Sequence, residues 1–183
     1  MKTKNIFFKY SIALFSIALF LISCESDLNV EPMDRQSELD LLSNPDNAIQ
    51  LVNGVYNKNL EYNMNAFSWI GISSITSDDA DKGSSVSDTG TDKGLLDNLI
   101  FNPSNISFSD VWKARYQGIG RANKALLYLE NLPIDAALKT RLIGEVKFLR
   151  ALWYFDLVRC YGGVPIVVSE ININDVAAVD NVV

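Results

Sequence analysis

The chain has 183 residues, with 16 lysines and arginines against 22 aspartates and glutamates, a formal net charge of −6, and no histidine. The missing histidine excludes Ser-His-Asp and Cys-His catalysis and the usual histidine-based metal sites. The acidic balance argues against nucleic-acid binding and against docking on anionic lipid through basic patches.

Residues 1–23 have the pattern of a bacterial lipoprotein signal peptide. Three lysines precede an apolar run, Ile12 to Ile22, which is too short for a typical membrane-spanning helix. Leu21-Ile22-Ser23-Cys24 fits a lipobox, in which the thiol of Cys24 takes a diacylglyceryl group and Cys24 becomes the first mature residue. The alternatives are a plain secretory signal and an uncleaved anchor. With Cys24 lipidated, Cys160 has no intramolecular partner, and we expect it to be a small core residue.

A first helix is predicted after an acidic tether that covers residues 24–43. Asn44-Pro45-Asp46 supplies a capping side chain and a proline at the start of a helix. Apolar residues then recur at helical spacing to about Glu61 or Asn63, with Gly54 as a point of close packing.

The next segment does not show one clear period. Trp69-Ile70-Gly71-Ile72 is a short apolar patch that fits either a helical turn or a short strand. The polar stretch Ser73 to Gly94 is predicted to be a long loop, and such loops are often functional or disordered. Asp79-Ala80-Asp81-Lys82-Gly83 begins like a calcium loop, but the pattern fails at its fifth and sixth positions.

Two long helices follow. Ser107 is predicted to open the first of them, with Ile106 and Val111 as a hydrophobic staple, and Leu132-Pro133 ends it. Asp135 is predicted to cap the second, which runs through Arg159 or Tyr161. Because the link is short, we expect an antiparallel helical hairpin.

The last helix has a continuous apolar face and an abrupt stop. Gly162-Gly163 tolerates positive φ, and Pro165 cannot extend a helix. Further apolar side chains widen the face, so this helix needs partners on much of its surface. The primary face comprises Leu142, Val146, Leu149, Trp153 and Leu157, and Phe148, Leu152 and Phe155 widen it.

Two segments carry a resemblance to a known family. E-V-K-F-L-R-A-L-W-Y-F-D-L followed by Y-G-G-V-P, and W-K-A-R-Y-Q-G-I-G-R-A-N-K-A-L upstream of it, are similar to the N-terminal region of the SusD/RagB family. These are outer-membrane lipoproteins that help capture glycans at the surface of Bacteroidetes-type bacteria. The resemblance implies an all-α fold of tetratricopeptide-like helical hairpins with a long irregular loop.

The resemblance also implies a domain plan and a function. The plan is a signal peptide at 1–23, a lipidated tether at 24–43, a SusD-like N-terminal helical domain at 44–168 and a tail at 169–183. The implied function is capture of an oligosaccharide or other polymeric nutrient, without catalysis, and its transfer to a SusC-like TonB-dependent transporter. The protein is expected in the outer membrane, lipid-anchored and surface-exposed. Family members are longer, so the chain is expected to be a fragment, an incomplete product or a short member, with Trp153 and its neighbours lacking cover.

Sugar binding needs a flat aromatic surface with polar groups beside it. Candidate ligand contacts around the loop are Trp69, Asp78, Asp79, Tyr62 and Asp92, and Trp69 is equally open to a core role. Four residues are assigned structural roles: Trp112 and Trp153 in the core, and Asn123 and Arg150, which match family positions, in a polar contact between helical hairpins.

Catalysis and cofactors are not expected. Asp78, Asp79 and Asp81 lie on a flexible loop, whereas glycoside hydrolysis needs two carboxylates at a fixed separation. No cofactor is expected besides the lipid on Cys24, with calcium as a weaker alternative. The alternative functions are a helical-repeat adaptor lipoprotein that binds protein, and a non-functional fragment.

Overall fold

The computed structural model describes residues 44–83, 85, 88 and 90–170. These residues belong to the second of two compact units, Asp40–Val183. The predicted signal peptide, the Cys24 tether and residues 171–183 of the predicted tail lie outside the described residues.

All regular secondary structure in the described part of the chain is helical, which confirms the all-α fold class. A 3-10 turn at Lys58–Leu60 separates the first two α-helices. The α-helices are α1 (Asn47–Asn57), α2 (Tyr62–Asn65), α3 (Phe67–Ser73), α4 (Thr91–Asp97), α5 (Ile106–Asn131) and α6 (Ala136–Tyr161). None of these helices is long and apolar enough to cross a membrane.

Helices α5 and α6 form the predicted antiparallel hairpin. Residues near the middle of the two helices meet, since Arg150 Nη1 donates to Asn123 Oδ1 at 2.7 Å. The start of α5 meets the end of α6, where the Tyr161 hydroxyl donates to the Phe108 carbonyl at 2.7 Å. The partners therefore run in opposite directions along the chain, as expected for a four-residue connection between long helices.

The helix caps are partly those predicted. Asp135 caps α6, and its carboxylate accepts two backbone N–H groups of the first turn, each at 3.0 Å. The predicted start of α5 at Ser107 was wrong: Asn105 is the cap and accepts the backbone N–H of Ser107 at 3.0 Å. Ile106 is therefore the first helical residue and is exposed, so it forms no staple with Val111.

The first helix is shorter than predicted. It ends at Asn57, not near Glu61, because the chain turns to bury Lys58, whose amine bonds Glu61 and Gln117, the latter at 2.9 Å. A Cβ at Gly54 would meet nothing within 4 Å, so the predicted close packing there was wrong.

The segment after α2 is also more ordered than predicted. Of the two alternatives for Trp69 to Ile72, the helical one is confirmed by α3. The predicted loop ends before Gly94, because α4 begins at Thr91. The side chains of Lys93 and Leu96 in this helix are buried and anchor it.

The core lies between the hairpin and α1, and it includes the whole predicted primary face of α6. Trp153 is 1% exposed, so the expectation that it would lack cover was wrong. Its indole N–H donates to Asn59 Oδ1 at 3.1 Å. The expectation does hold for the outer face of α6, where large apolar side chains are exposed. They are Phe148, Leu152, Phe155 and Val158.

Candidate functional site

Trp69 lines a cavity of about 470 Å³ at the end of the hairpin, here called the Trp69 pocket. Helix α3 supplies Trp69, the start of α5 supplies Phe108, and the last turn of α6 supplies Arg159. The pocket thus combines aromatic surface, hydroxyl groups and one cationic group. Its lining comprises Trp69, Ile72, Ser73, Thr76, Phe101, Phe108, Arg159 and Cys160.

A buried arginine lies against Trp69. The guanidinium carbon of Arg115 lies 4.5 Å from the centroid of a Trp69 ring, and the side chain is fully buried. Its Nη2 pairs with Asp156 Oδ2 at 3.0 Å, and its Nη1 donates to the Met64 carbonyl. Nη2 also donates to Asn65 Oδ1 at 3.3 Å. One side chain of α5 therefore ties α2, α3 and α6 together.

Burial dominates the electrostatics of this ion pair. It raises the pKa of Asp156 and lowers the pKa of Arg115, and in each case the partner's charge opposes the shift. The Nε of Arg115 is buried and has no hydrogen-bond partner among the described residues. Such a pair is costly to bury, so it is better suited to fixing one arrangement than to adding stability.

The sequence reasoning missed Arg115. A signal existed, because Arg115 stands on the buried stripe of α5, four residues after Val111 and four before Ile119. A charged residue at a core position of an amphipathic helix requires a partner.

Two of the predicted contacts, Tyr62 and Asp92, lie in a second cluster around Phe67. The rings of Tyr62 and Phe67 stack with centroids 5.5 Å apart. The amine of Lys93 lies 4.0 Å from the Phe67 ring centroid and 2.6 Å from Asp92 Oδ2. The hydroxyl of Ser107 donates to the same carboxylate oxygen at 2.8 Å.

Asp92 has a structural role in this cluster. Burial raises the pKa of its carboxyl, but hydrogen bonds from Lys93 and Ser107 and the charge of Lys93 outweigh that effect and lower the pKa below its ordinary value. The carboxylate thus stays ionised and already has donors. Tyr62, by contrast, remains largely exposed and accessible to a ligand.

Asp78 and Asp79 lie in an exposed turn shortly after Thr76. The hydroxyl of Ser77 accepts the backbone N–H of Asp79 at 3.2 Å. Neither aspartate is in the described lining of the Trp69 pocket. In the described part of the chain, no three His, Cys, Asp or Glu residues come close enough to hold a metal ion.

The four residues assigned structural roles lie along the hairpin. Trp153 is in the core, whereas Trp112 is half-buried between two rings, with centroids 4.8 Å from Tyr116 and 5.1 Å from Tyr161. Burial and the proximity of Tyr154 raise the pKa of Tyr116 to about 12, so its hydroxyl is a neutral donor.

Asn123 and Arg150 also hold the segment that follows α6. The amide of Asn123 donates to the carbonyls of Val167 and Ser169, both at 3.0 Å, and Arg150 donates to Val168 O at 2.9 Å. This extended segment, residues 164–168, is here called the strap. It lies beside α6 and borders a largely apolar groove of about 580 Å³.

A SusD-like family profile, described as "Starch-binding associating with outer membrane", matches residues 27–180. Among solved structures, a laminarin-binding SusD-like protein is 30% identical with a TM-score of 0.61 over 72% of this chain. A SusD superfamily protein from Parabacteroides distasonis is 25% identical, with a TM-score of 0.54 over 68% of this chain.

A SusD-like protein from Bacteroides fragilis is similar in fold, with 22% identity and a TM-score of 0.57 over 84% of this chain. The chain spans only 28%, 26% and 28% of the lengths of these three structures, respectively. No curated protein matches the sequence.

Proposed function

Because the chain belongs to the SusD-like family, we propose that it captures an oligosaccharide or other polymeric nutrient at the outer membrane without chemically changing it. The lipid on Cys24 anchors the protein at the cell surface. The captured nutrient passes to a SusC-like TonB-dependent transporter.

The observation that carries this proposal is the Trp69 pocket. An indole with phenyl rings beside it offers apolar surface to a sugar ring. The hydroxyl oxygens of Ser73 and Thr76 can accept hydrogen bonds from the sugar hydroxyl groups, while the Thr76 proton is donated to the Ile72 carbonyl at 2.6 Å. The buried Arg115 packs on the Trp69 ring and restrains it, which favours a preorganised aromatic wall. A relative with 30% identity is itself described as laminarin-binding.

The proposal excludes hydrolysis of the bound glycan. A glycosidase needs a carboxyl pair roughly 5–10 Å apart across the scissile bond. The described lining of the Trp69 pocket contains no carboxylate. Capture without hydrolysis is therefore the better fit to these side chains.

The test is ligand retention by affinity electrophoresis with a panel of plant, algal and host glycans. We expect Trp69→Ala to lose retention while its far-UV CD spectrum stays helical. Phe148→Ala, which removes an exposed aromatic ring from the outer face of α6, is the matched control and should bind as the parent does. Equal retention by Trp69→Ala and the parent would refute the pocket assignment, and absence of any glycan binding would refute capture of glycans.

A second function has its own support. The exposed apolar face of α6 is a surface that protein partners commonly cover. A helical adaptor that binds the transporter and no nutrient would keep this face and lose nothing when Trp69 is replaced. Co-purification with the transporter, abolished by Phe155→Ser but unaffected by Trp69→Ala, would favour the adaptor if no glycan binds.

A further inference from the structure

We propose that the Trp69 pocket takes an anionic sugar ring, one that carries a carboxylate or sulfate group, with the Arg159 guanidinium as the counter-charge. This inference rests on the proposed function and specifies its ligand class.

The charge of the pocket is the first argument. Among the described residues that line it, Arg159 is charged and cationic, and none is acidic. The chain as a whole carries a formal charge of −6, so it repels anions in general. Arg159 is an exposed cationic group at the rim of this pocket, and it gives the pocket a local preference for anions that the net charge does not supply.

The second argument is that Arg159 has no carboxylate partner within ion-pair distance among the described residues. Three other arginines do: Arg115 with Asp156, Arg121 with Glu61, and Arg141 with Glu145.

The contact that Arg159 does make is with the ring of Phe155, whose centroid lies 5.3 Å from the guanidinium carbon. A guanidinium on an aromatic face keeps its edge donors available, and that edge matches the two oxygens of a carboxylate or sulfate.

Asp156 stands one turn before Arg159 and is the nearest acidic residue on the helix. Its carboxylate pairs with Arg115 at 3.0 Å and also interacts with the charge of Arg159 beyond ion-pair distance. Two arginines and one aspartate therefore leave a net positive charge at this end of α6. An anionic sugar needs aromatic walls that pack against its ring and a cation at the rim that pairs with its carboxylate or sulfate group. The pocket has both parts: Trp69, Phe101 and Phe108 supply the walls.

A rival role for Arg159 is purely structural. It stands in the last turn of α6, where a basic side chain stabilises the negative end of the helix. That role predicts a loss of stability on substitution with no change in which glycans bind. Ligand preference is therefore the measurement that separates the two.

The experiment is calorimetry on the purified chain with three probes: an oligogalacturonate, a sulfated galactan oligosaccharide and a neutral β-glucan oligosaccharide. We expect the parent to bind an anionic probe more tightly than the neutral one, and the two anionic probes distinguish carboxylate from sulfate. Arg159→Gln should weaken the anionic complex about tenfold, as expected for one charge-assisted hydrogen-bonded contact. Arg141→Gln changes the net charge equally on the same helix and should have no effect.

Salt dependence gives a second measurement that needs no variant. Added salt should weaken the anionic complex of the parent and leave a neutral complex unchanged, because screening acts on the charged contact. Any one of three results would overturn the inference and leave glycan capture intact. These are an anionic complex that is insensitive to salt, equal effects of Arg159→Gln and Arg141→Gln, and tighter binding of the neutral glucan. If no probe and no other glycan binds, glycan capture itself fails.

Discussion

Gly118 offers the sharpest test of the packing between the hairpin and the short helices. A Cβ built at this position lies 2.8 Å from Trp153 Cε3, 2.9 Å from Trp153 Cζ3 and 2.9 Å from the Met64 methyl carbon. The Met64 methyl group is at the end of a flexible side chain and can move. The indole of Trp153 is 1% exposed and held by Asn59, so it cannot move without disturbing the core.

Two opposing effects set the expected change in the free energy of unfolding of Gly118→Ala. Replacing a glycine in a helix interior by alanine stabilises the helix by roughly 1 kcal/mol. Overpacking a well-filled core costs about 1–3 kcal/mol. Gly118→Ala should therefore lower the free energy of unfolding by up to about 2 kcal/mol. Gly120→Ala has the same helical gain and meets nothing within 4 Å, so it should be neutral or stabilising.

The assay is urea unfolding followed by far-UV CD, with Gly120→Ala as the matched control on the same helix. The stability gap between the two variants should be about 1–3 kcal/mol, which isolates the packing term. The near-UV CD bands of tryptophan should change in Gly118→Ala alone. If Gly118→Ala is as stable as Gly120→Ala, the close approach of α5 to Trp153 is refuted.

Three further predictions concern charge and backbone conformation. Arg115→Met leaves Asp156 buried without its partner and should lower the free energy of unfolding, measured with urea, by about 3–5 kcal/mol. The double variant Arg115→Met/Asp156→Leu should regain most of this stability, and equal stability of the single and double variants would contradict the buried pair. The pKa of Asp92 in the folded protein lies below 3.8, so the ionised carboxylate stabilises the fold above that pH, and this stabilisation is lost as the pH falls through the folded pKa. Asp92→Asn should therefore lose Tm less steeply below pH 4 than the parent does. Identical slopes of Tm against pH would contradict this role of Asp92. Gly162 has φ +75° and ψ −132°, a conformation that is nearly restricted to glycine, so Gly162→Ala should destabilise the fold by about 1–3 kcal/mol while the helix-interior Gly144→Ala does not. Thermal melts that rank the two variants the other way would exclude strain at this cap.

The long helices were predictable because their apolar periodicity and end signals are strong. The primary face of α6 read from the sequence is buried, and Asp135 caps the helix as expected. The error at Ser107 arose between two neighbouring capping residues. Asn105 accepts the backbone N–H of Ser107, and Ser107 itself is buried beside Asp92, a tertiary contact that no local pattern reveals.

The short helices were less predictable, because tertiary contacts and not local propensity fix them. The chain breaks after Asn57 to bury Lys58, and α4 forms around buried Lys93. Lysines are almost never fully buried unless they are paired, so sequence reasoning places both at the surface. Each lysine has a carboxylate close by in the sequence, Glu61 for Lys58 and Asp92 for Lys93. Their further partners, Gln117 and Ser107, are distant in the chain and depend on the tertiary fold.

The sequence places the candidate contact residues in one region, but the structure divides them among different surroundings. Trp69 was open to a core or a ligand role, and the structure gives it both kinds of surroundings, with Arg115 against its ring and a cavity beside it. Tyr62 and Asp92 lie in a different cluster because α3 presents Phe67 and Trp69 to different neighbours. Nothing tests ligand contact by Asp78 and Asp79, and it stays a prediction.

Helix α6, which the sequence presents as scaffold, also builds the pocket. Trp153 fills the core, Asp156 one turn later holds Arg115 against Trp69, and Arg159 one turn beyond lines the pocket. Because these residues stand on consecutive turns of one rigid helix, their relative positions are fixed by the helical geometry. The proposed ligand preference therefore depends on α6, which supplies Arg159, as well as on α3, which supplies Trp69.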